Sequence, residues 1–250
     1  MKLTLRVPSL KAGLLAALLP AGLIFAAPRL HADETPHLVP APAIDQPAAT
    51  GPRLAGTAQP LDSIVLSGGC FWGVQGVFEH VKGVTQALSG YTGGAGATAQ
   101  YETVSTGSTG HAESVKVTYD PSKISLGGIL RIFFSVALDP TRTDGQGPDE
   151  GSQYRSEIWV SGPEQAHVAT AYIAQLDQAH AFSAPIATRV DPLRGFFPAE
   201  GYHQDYLVLN PDAGYIAVND MPKVQALQQL FPSQWSAAPR TVSASATTRG

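Results

Sequence analysis

The chain has almost no sulfur: one cysteine and two methionines in 250 residues. A single thiol cannot close an internal disulfide, so Cys70 is not a covalent staple. It has no cysteine partner at metal-ligand spacing and the seven histidines are scattered, so no metal site is expected. Charge is also sparse, at 14% of residues, with 16 Lys and Arg against 20 Asp and Glu. Four of the basic residues and none of the acids fall in positions 1–32, so the remainder carries 12 against 20, a net of −8. That balance opposes nucleic acid and anionic membrane as partners, since both need a basic face. Phosphate-loop and dinucleotide fingerprints are missing, no cofactor is expected, and no internal repeat is found.

What is present divides by composition. Lys2, Arg6 and Lys11 precede an apolar run over 12–27 and then small residues ending at Ala32, the pattern of a secretory signal peptide over 1–32. The sixteen-residue run is shorter than the roughly 20 apolar residues of a spanning helix. Cleavage at Ala27 competes with cleavage at Ala32. Export to an oxidising space such as the periplasm is the expectation. Residues 33–60, with six prolines and no hydrophobic period, read as a disordered or extended linker. Residues 233–250 read as a flexible tail. Positions 61–232 between them are enough for one domain with a proper core.

Within that domain the hydrophobic pattern predicts strands near 62–67, 84–89, 114–119 and 153–160. The spacing of Val74, Val77, Phe78 and Val81 predicts a helix after Cys70. Leu126, Ile129, Leu130, Phe133 and Phe134 predict a second helix, capped by Ser125. Ser161-Gly162-Pro163-Glu164 opens a third with a capping-box pattern. A short strand near 185–190 and helices near 201–209 and 222–230 follow. The early order β-α-β-β-α-β is that of an α+β two-layer sandwich, a ferredoxin-like mixed sheet with helices packed on it.

The chain is organised around Gly68-Gly69-Cys70-Phe71-Trp72-Gly73. Ile64-Val65-Leu66-Ser67 reads as a buried strand, the glycines supply a tight turn, and Cys70 falls at the start of the next helix. Unpaired N–H groups and the helix dipole there favour a thiolate. A free cysteine packed as a small hydrophobe is the commoner fate, but flanking glycines and two adjacent aromatics fit an accessible pocket better.

Gly-Cys-Phe-Trp-Gly after a strand resembles the signature of the peptide methionine sulfoxide reductase A family. So do Gly90-Tyr91-Thr92-Gly93-Gly94, Tyr101-Glu102-Thr103-Val104, Gly110-His111-Ala112-Glu113, Ser152-Gln153-Tyr154-Arg155-Ser156 and the stretch from Phe196 to Tyr206. The likeness runs from about Ile64 to about Leu230. It implies thiol-dependent reduction of methionine S-sulfoxide, protein-bound or free, the S epimer being the one assigned to this family. It also implies Cys70 as nucleophile, Glu113 as general acid, Tyr101 as a hydrogen-bond donor to the sulfoxide oxygen, and Asp149 and Tyr154 in the site. Phe71 and Trp72 would form the slot for the methyl-sulfur group. In the polar loop 139–151, Arg142, Asp144 and Glu150 read as solvated. His111 reads as a structural histidine bonded to backbone, and His203 and Tyr206 as structural supports. Many members resolve the oxidised nucleophile with further cysteines in the C-terminal tail, but residues 211–250 contain none. An external thiol reductant is therefore implied, whether thioredoxin-like, glutaredoxin-like or a low-molecular-weight thiol.

Three other readings fit a lone cysteine. A Cys-His hydrolase would pair Cys70 with His111 or His203. A one-cysteine peroxidase would consume peroxide. A secreted binding module would leave the thiol incidental.

Overall fold

A computed structural model describes residues 35–46 and 60–242. The expected signal peptide, the linker over 47–59 and the last eight residues lie outside the described residues. Strand β1 (Asp62–Gly68) is buried from Ile64 onward and occupies the middle of a six-stranded sheet. The others are β2 (Val84–Thr92), β3 (Ala112–Tyr119), β4 (Ser156–Val160), β5 (Arg189–Pro192) and β6 (Phe197–Pro198), in the spatial order β5-β4-β1-β3-β2-β6. Pairing is antiparallel except between β4 and β5. The inner order, fourth-first-third-second, with helices after β1 and β3, is the ferredoxin-like arrangement.

Alternation along β1 separates the layers. Ile64 and Leu66 pack into the main core with Val74, Val77 and Phe78 of helix α1 (Phe71–Glu79). Helices α3 (Leu126–Ile132) and α4 (Pro163–Gln178) feed the same cluster. Val65 faces the other way onto Trp159 and Ala112, covered only by Leu193 and Phe196. Helix α2 (Tyr101–Val104) is a single turn, and α5 (Tyr206–Leu209) and α6 (Met221–Leu230) follow β6.

Several local expectations change in the fold. The fourth strand starts at Ser156, not 153, because Ser152–Tyr154 form one 3-10 turn after Gly151, whose φ of +124° ends the preceding hairpin. Helix α3 is capped by Ser125, whose hydroxyl accepts from the Gly128 amide at 3.1 Å, but it widens to a π turn over Phe133–Ala137. The capping box at Ser161 does not form: Gln165 Oε1 accepts from the Ser161 amide at 2.9 Å, and Gly162 is the N-cap.

The proline-rich segment forms neither helix nor strand where it is described, and it is docked on the domain. Val39 is 1% exposed, the His37 amide donates to Ser135 O, and Asp45 accepts from the Gly127 amide and the Ser125 hydroxyl at the start of α3. Proline fixes φ before folding, so the strap loses little entropy on docking. The tail is likewise held as far as Val242. Trp235 stacks on His80 at 4.8 Å, Ser236 and Arg240 donate backbone bonds to His80 O and Glu79 O, and the Val242 amide donates to Asp205. A large aromatic covering a helix end explains why a segment rich in small polar residues does not fray.

The end of α1 contains an acid that cannot ionise cheaply. Glu79 is fully buried and faces the Asp205 carboxyl, and neither of its oxygens has a donor among the described residues. Burial, then the facing Asp205 carboxyl, push it from the ordinary carboxyl range up to about 10. The folded state therefore holds a proton that the unfolded chain releases near pH 4.5. The stabilisation is fully present below that value and is lost as pH rises towards 10. Glu79→Gln keeps the shape and removes the titration. Thermal melts from pH 6 to 9.5 should show the wild-type midpoint falling steadily while the variant's falls less; parallel curves would place the proton elsewhere.

Candidate active site

Cys70 is the N-cap of α1, at the end of β1, and is 9% exposed. Two glycines make the turn possible. Gly69 sits at φ +89°, where a Cβ would lie 2.5 Å from Gln146 Cβ. At Gly73, in the first turn, a Cβ would lie 2.2 Å from Asp220 Oδ1, so only glycine admits that carboxylate against the helix.

The residues singled out in the sequence come from five elements: the start of α1, α2, β3, the 3-10 turn over Ser152–Tyr154 and the hairpin that carries Asp149. Glu113, 3% exposed near the start of β3, accepts from the Phe71 amide at 3.0 Å, using an orphan donor of the same helix end. Its pKa rises to about 8, chiefly through burial; the Phe71 bond opposes the rise, and the charges of Asp149 and Asp220 add to it. Tyr101 opens α2, its amide fixed by Glu200 Oε1 at 3.0 Å and its ring 4.5 Å from the His203 ring. Tyr154 ends the 3-10 turn. Burial raises both phenols, and each feels the charges of Glu113 and Cys70. Neither phenol ionises near neutral pH, so each is a donor there.

The loop over 139–151 is not free. Gln146 bonds both the amide and the carbonyl of Asp139 at 2.8 Å, and it pairs with Asp149 in a two-residue hairpin. Arg142, expected to be solvated, has a side chain only 13% exposed and donates to Gly147 O and Glu150, both at 2.8 Å. Asp144 is exposed, and Glu150, although exposed, is engaged by Arg142. This clasp presents Asp149, whose carboxylate accepts from the Tyr215 hydroxyl and is raised by burial, with that bond opposing the rise.

Phe71 and Trp72 differ. Phe71 is 1% exposed and belongs to the core, 5.0 Å from the His203 ring. Trp72 is partly exposed, stacked at 4.0 Å on Tyr206 and edge-on to Tyr215 at 6.1 Å. His203 and Tyr206 thus back the aromatic slot. His111 spends both ring nitrogens on backbone, accepting from the Gly94 amide and donating to Ala95 O. Neither nitrogen of His203 has a hydrogen-bond partner among the described residues, its Nε2 lying 3.9 Å from Glu200 Oε2, and burial lowers its pKa. Neither histidine makes a dyad with Cys70.

The helix end does not make Cys70 a resting thiolate, contrary to the sequence expectation. Burial pushes its thiol well above the ordinary value, and the Glu113 and Asp220 charges push further; the Trp72 amide and Lys223 oppose them more weakly. A thiol next to a protonated acid is therefore the ground state near neutral pH.

Matching the chain to family models finds peptide methionine sulfoxide reductase over residues 62–235. The chain belongs to that family. Peptide methionine sulfoxide reductase MsrA 2 of Mesorhizobium japonicum is 54% identical over 196 residues, 78% of this chain and 96% of the relative. The MsrA 2 of Synechocystis sp. is 45% identical, covering 80% and 91%. Among solved structures, methionine sulfoxide reductase A of Corynebacterium diphtheriae superposes with a TM-score of 0.53 at 31% identity, over 74% of this chain and 93% of that one. Like its family, this reductase converts methionine sulfoxide to methionine by thiol chemistry. Four residues of the site were not singled out in the sequence: Glu200, which holds the Tyr101 amide, and Tyr215, Asp220 and Lys223. Glu200 lies in the stretch resembling the family. The other three have no local signal beyond the i, i+3 spacing of Asp220 and Lys223.

Proposed function

We propose that Cys70 attacks the sulfur of methionine S-sulfoxide while Glu113 protonates the departing oxygen, with Tyr101 and Tyr154 donating to that oxygen and Trp72 packing the methyl-sulfur group. The observation that carries this is the Glu113–Phe71 bond at 3.0 Å, which fixes a buried acid beside the one thiol. An acid with a pKa of about 8 is protonated at neutral pH and strong enough to give its proton up. Asp149, tied to Tyr215, braces the loop side of the site. The substrates are oxidised proteins or free methionine sulfoxide. The signal-peptide pattern of residues 1–32 supports export to the periplasm.

The electron balance sets the next step. The protonated oxygen leaves as water from the adduct that Cys70 forms with the sulfur, and water adding at Cys70 Sγ then breaks that S–S bond, so methionine leaves with two electrons gained and Cys70 is left as a sulfenic acid. With no second cysteine, nothing internal condenses with it, so an external thiol must regenerate the enzyme. The experiment uses acetylated methionine sulfoxide with its epimers separated. Without reductant, the S epimer should yield one methionine per chain, and the protein should gain the mass of one oxygen in a form trapped by a sulfenate reagent. Two methionines per chain, or arrest as an unmodified thiol, would defeat the one-cysteine cycle.

A further inference from the structure

The proposed reaction places the sulfoxide oxygen beside Glu113, Tyr101 and Tyr154. A cavity of about 200 Å³ meets Cys70 on the side of Asp149 and Tyr215, and none of those three residues lines it. Its walls are the strap at Thr35–His37, the clasped loop with Asp149, and the segment carrying Tyr215, Val218, Asn219 and Lys223. Val218 is 72% exposed, so the cavity meets solvent there.

The chemistry of regeneration needs such a second side. A thiolate attacking a sulfenic acid enters opposite the S–O bond: the S–S bond forms, the S–O bond breaks, and the oxygen leaves as water with a proton from Glu113. The proton given up by the incoming thiol restores that acid. A second thiol then releases Cys70 as a thiol and departs as its own disulfide. If the oxygen is held at Glu113, the incoming sulfur must come from away from it. The cavity holds only a small molecule, and a cysteine that is 9% exposed at its end is poorly placed for a protein's thiol. Lys223 is the one lysine or arginine among its lining residues, held 3.1 Å from the buried Asp220. Two acids also stand on this wall: Asp149, which accepts from Tyr215, and Asp139, which accepts from the Thr141 amide and hydroxyl.

We propose that this cavity is the binding site of the recycling reductant, a low-molecular-weight thiol carrying a carboxylate, which enters past Val218 and is drawn in by Lys223. The proposal rests on the reductase reading above, and the two fail separately. Methionine formed in a single turnover tests the first, and the return of the thiol from the sulfenic acid tests the second. Val218→Trp should leave the single turnover unchanged and slow regeneration by both 2-mercaptoethanol and 3-mercaptopropionate. Lys223→Met should cut the rate with anionic 3-mercaptopropionate relative to neutral 2-mercaptoethanol by ~tenfold, the low end of electrostatic steering. The comparison of two thiols on one variant cancels any general loss of folding or activity. Regeneration in Val218→Trp at the wild-type rate, or an unchanged ratio in Lys223→Met, would overturn the proposal. So would recovery by a thioredoxin-like protein where neither small thiol works.

Discussion

Cys70→Ser should retain less than about a ten-thousandth of wild-type turnover, the scale of loss when a nucleophile is removed. A hydroxyl is too weakly nucleophilic at neutral pH and cannot carry the oxygen as a sulfenic acid. The same variant should be as stable as the wild type or more so. Cys70 is the N-cap of α1 but makes no side-chain cap, whereas serine is among the best N-caps, worth up to ~1 kcal/mol over a non-capping residue. Its hydroxyl can accept from the Trp72 amide that now faces the sulfur. A dead enzyme with an undiminished melting temperature is the expected pair of results. Residual activity above a trace would remove Cys70 from the chemistry. A large drop in melting temperature would mean that the thiol serves mainly as packing.

Glu113→Gln should lower kcat by ~10²–10⁴-fold, the usual contribution of a positioned general acid. Wild-type activity should fall as pH rises through about 8, because the acid form is the active one; the variant should lack that limb. The thiol should respond in the opposite sense. After burial, the Glu113 charge is the largest cause raising the Cys70 pKa. Removing it should let iodoacetamide alkylate Cys70 faster at pH 9 in the variant than in the wild type, although turnover is slower. With a single cysteine in the chain, that rate reports one group. Slow turnover with unchanged alkylation would mean that the glutamine variant distorts the turn and leaves the charge balance untouched. An unchanged kcat would hand the acid role to Tyr101, Tyr154 or Asp149.

Much of this was legible in order along the chain. The apolar run at 64–67, the glycines and the helical spacing after Cys70 are local facts, and local backbone preference decides them. The alternation of Val115, Val117 and Tyr119 and the β-α-β-β-α-β order likewise constrain the sheet. Other features depend on partners far away in sequence. The prolines keep the strap at 35–46 out of helix, but contact with Ser135, α3 and α4 is what docks it. The Cys70 microenvironment reverses its local reading, because burial and two carboxylates outweigh the helix end that the sequence displays.

Residue identity and spacing within one or two turns of chain single out Cys70 as the proposed nucleophile, place it on its turn and leave no second cysteine to resolve it. The electrostatic state of that thiol and the wall of Tyr215, Asp220 and Lys223 around it come from the fold alone. Those residues approach Cys70 from about 150 positions away. Charge interactions and desolvation depend on distance in space, which the order of residues does not encode.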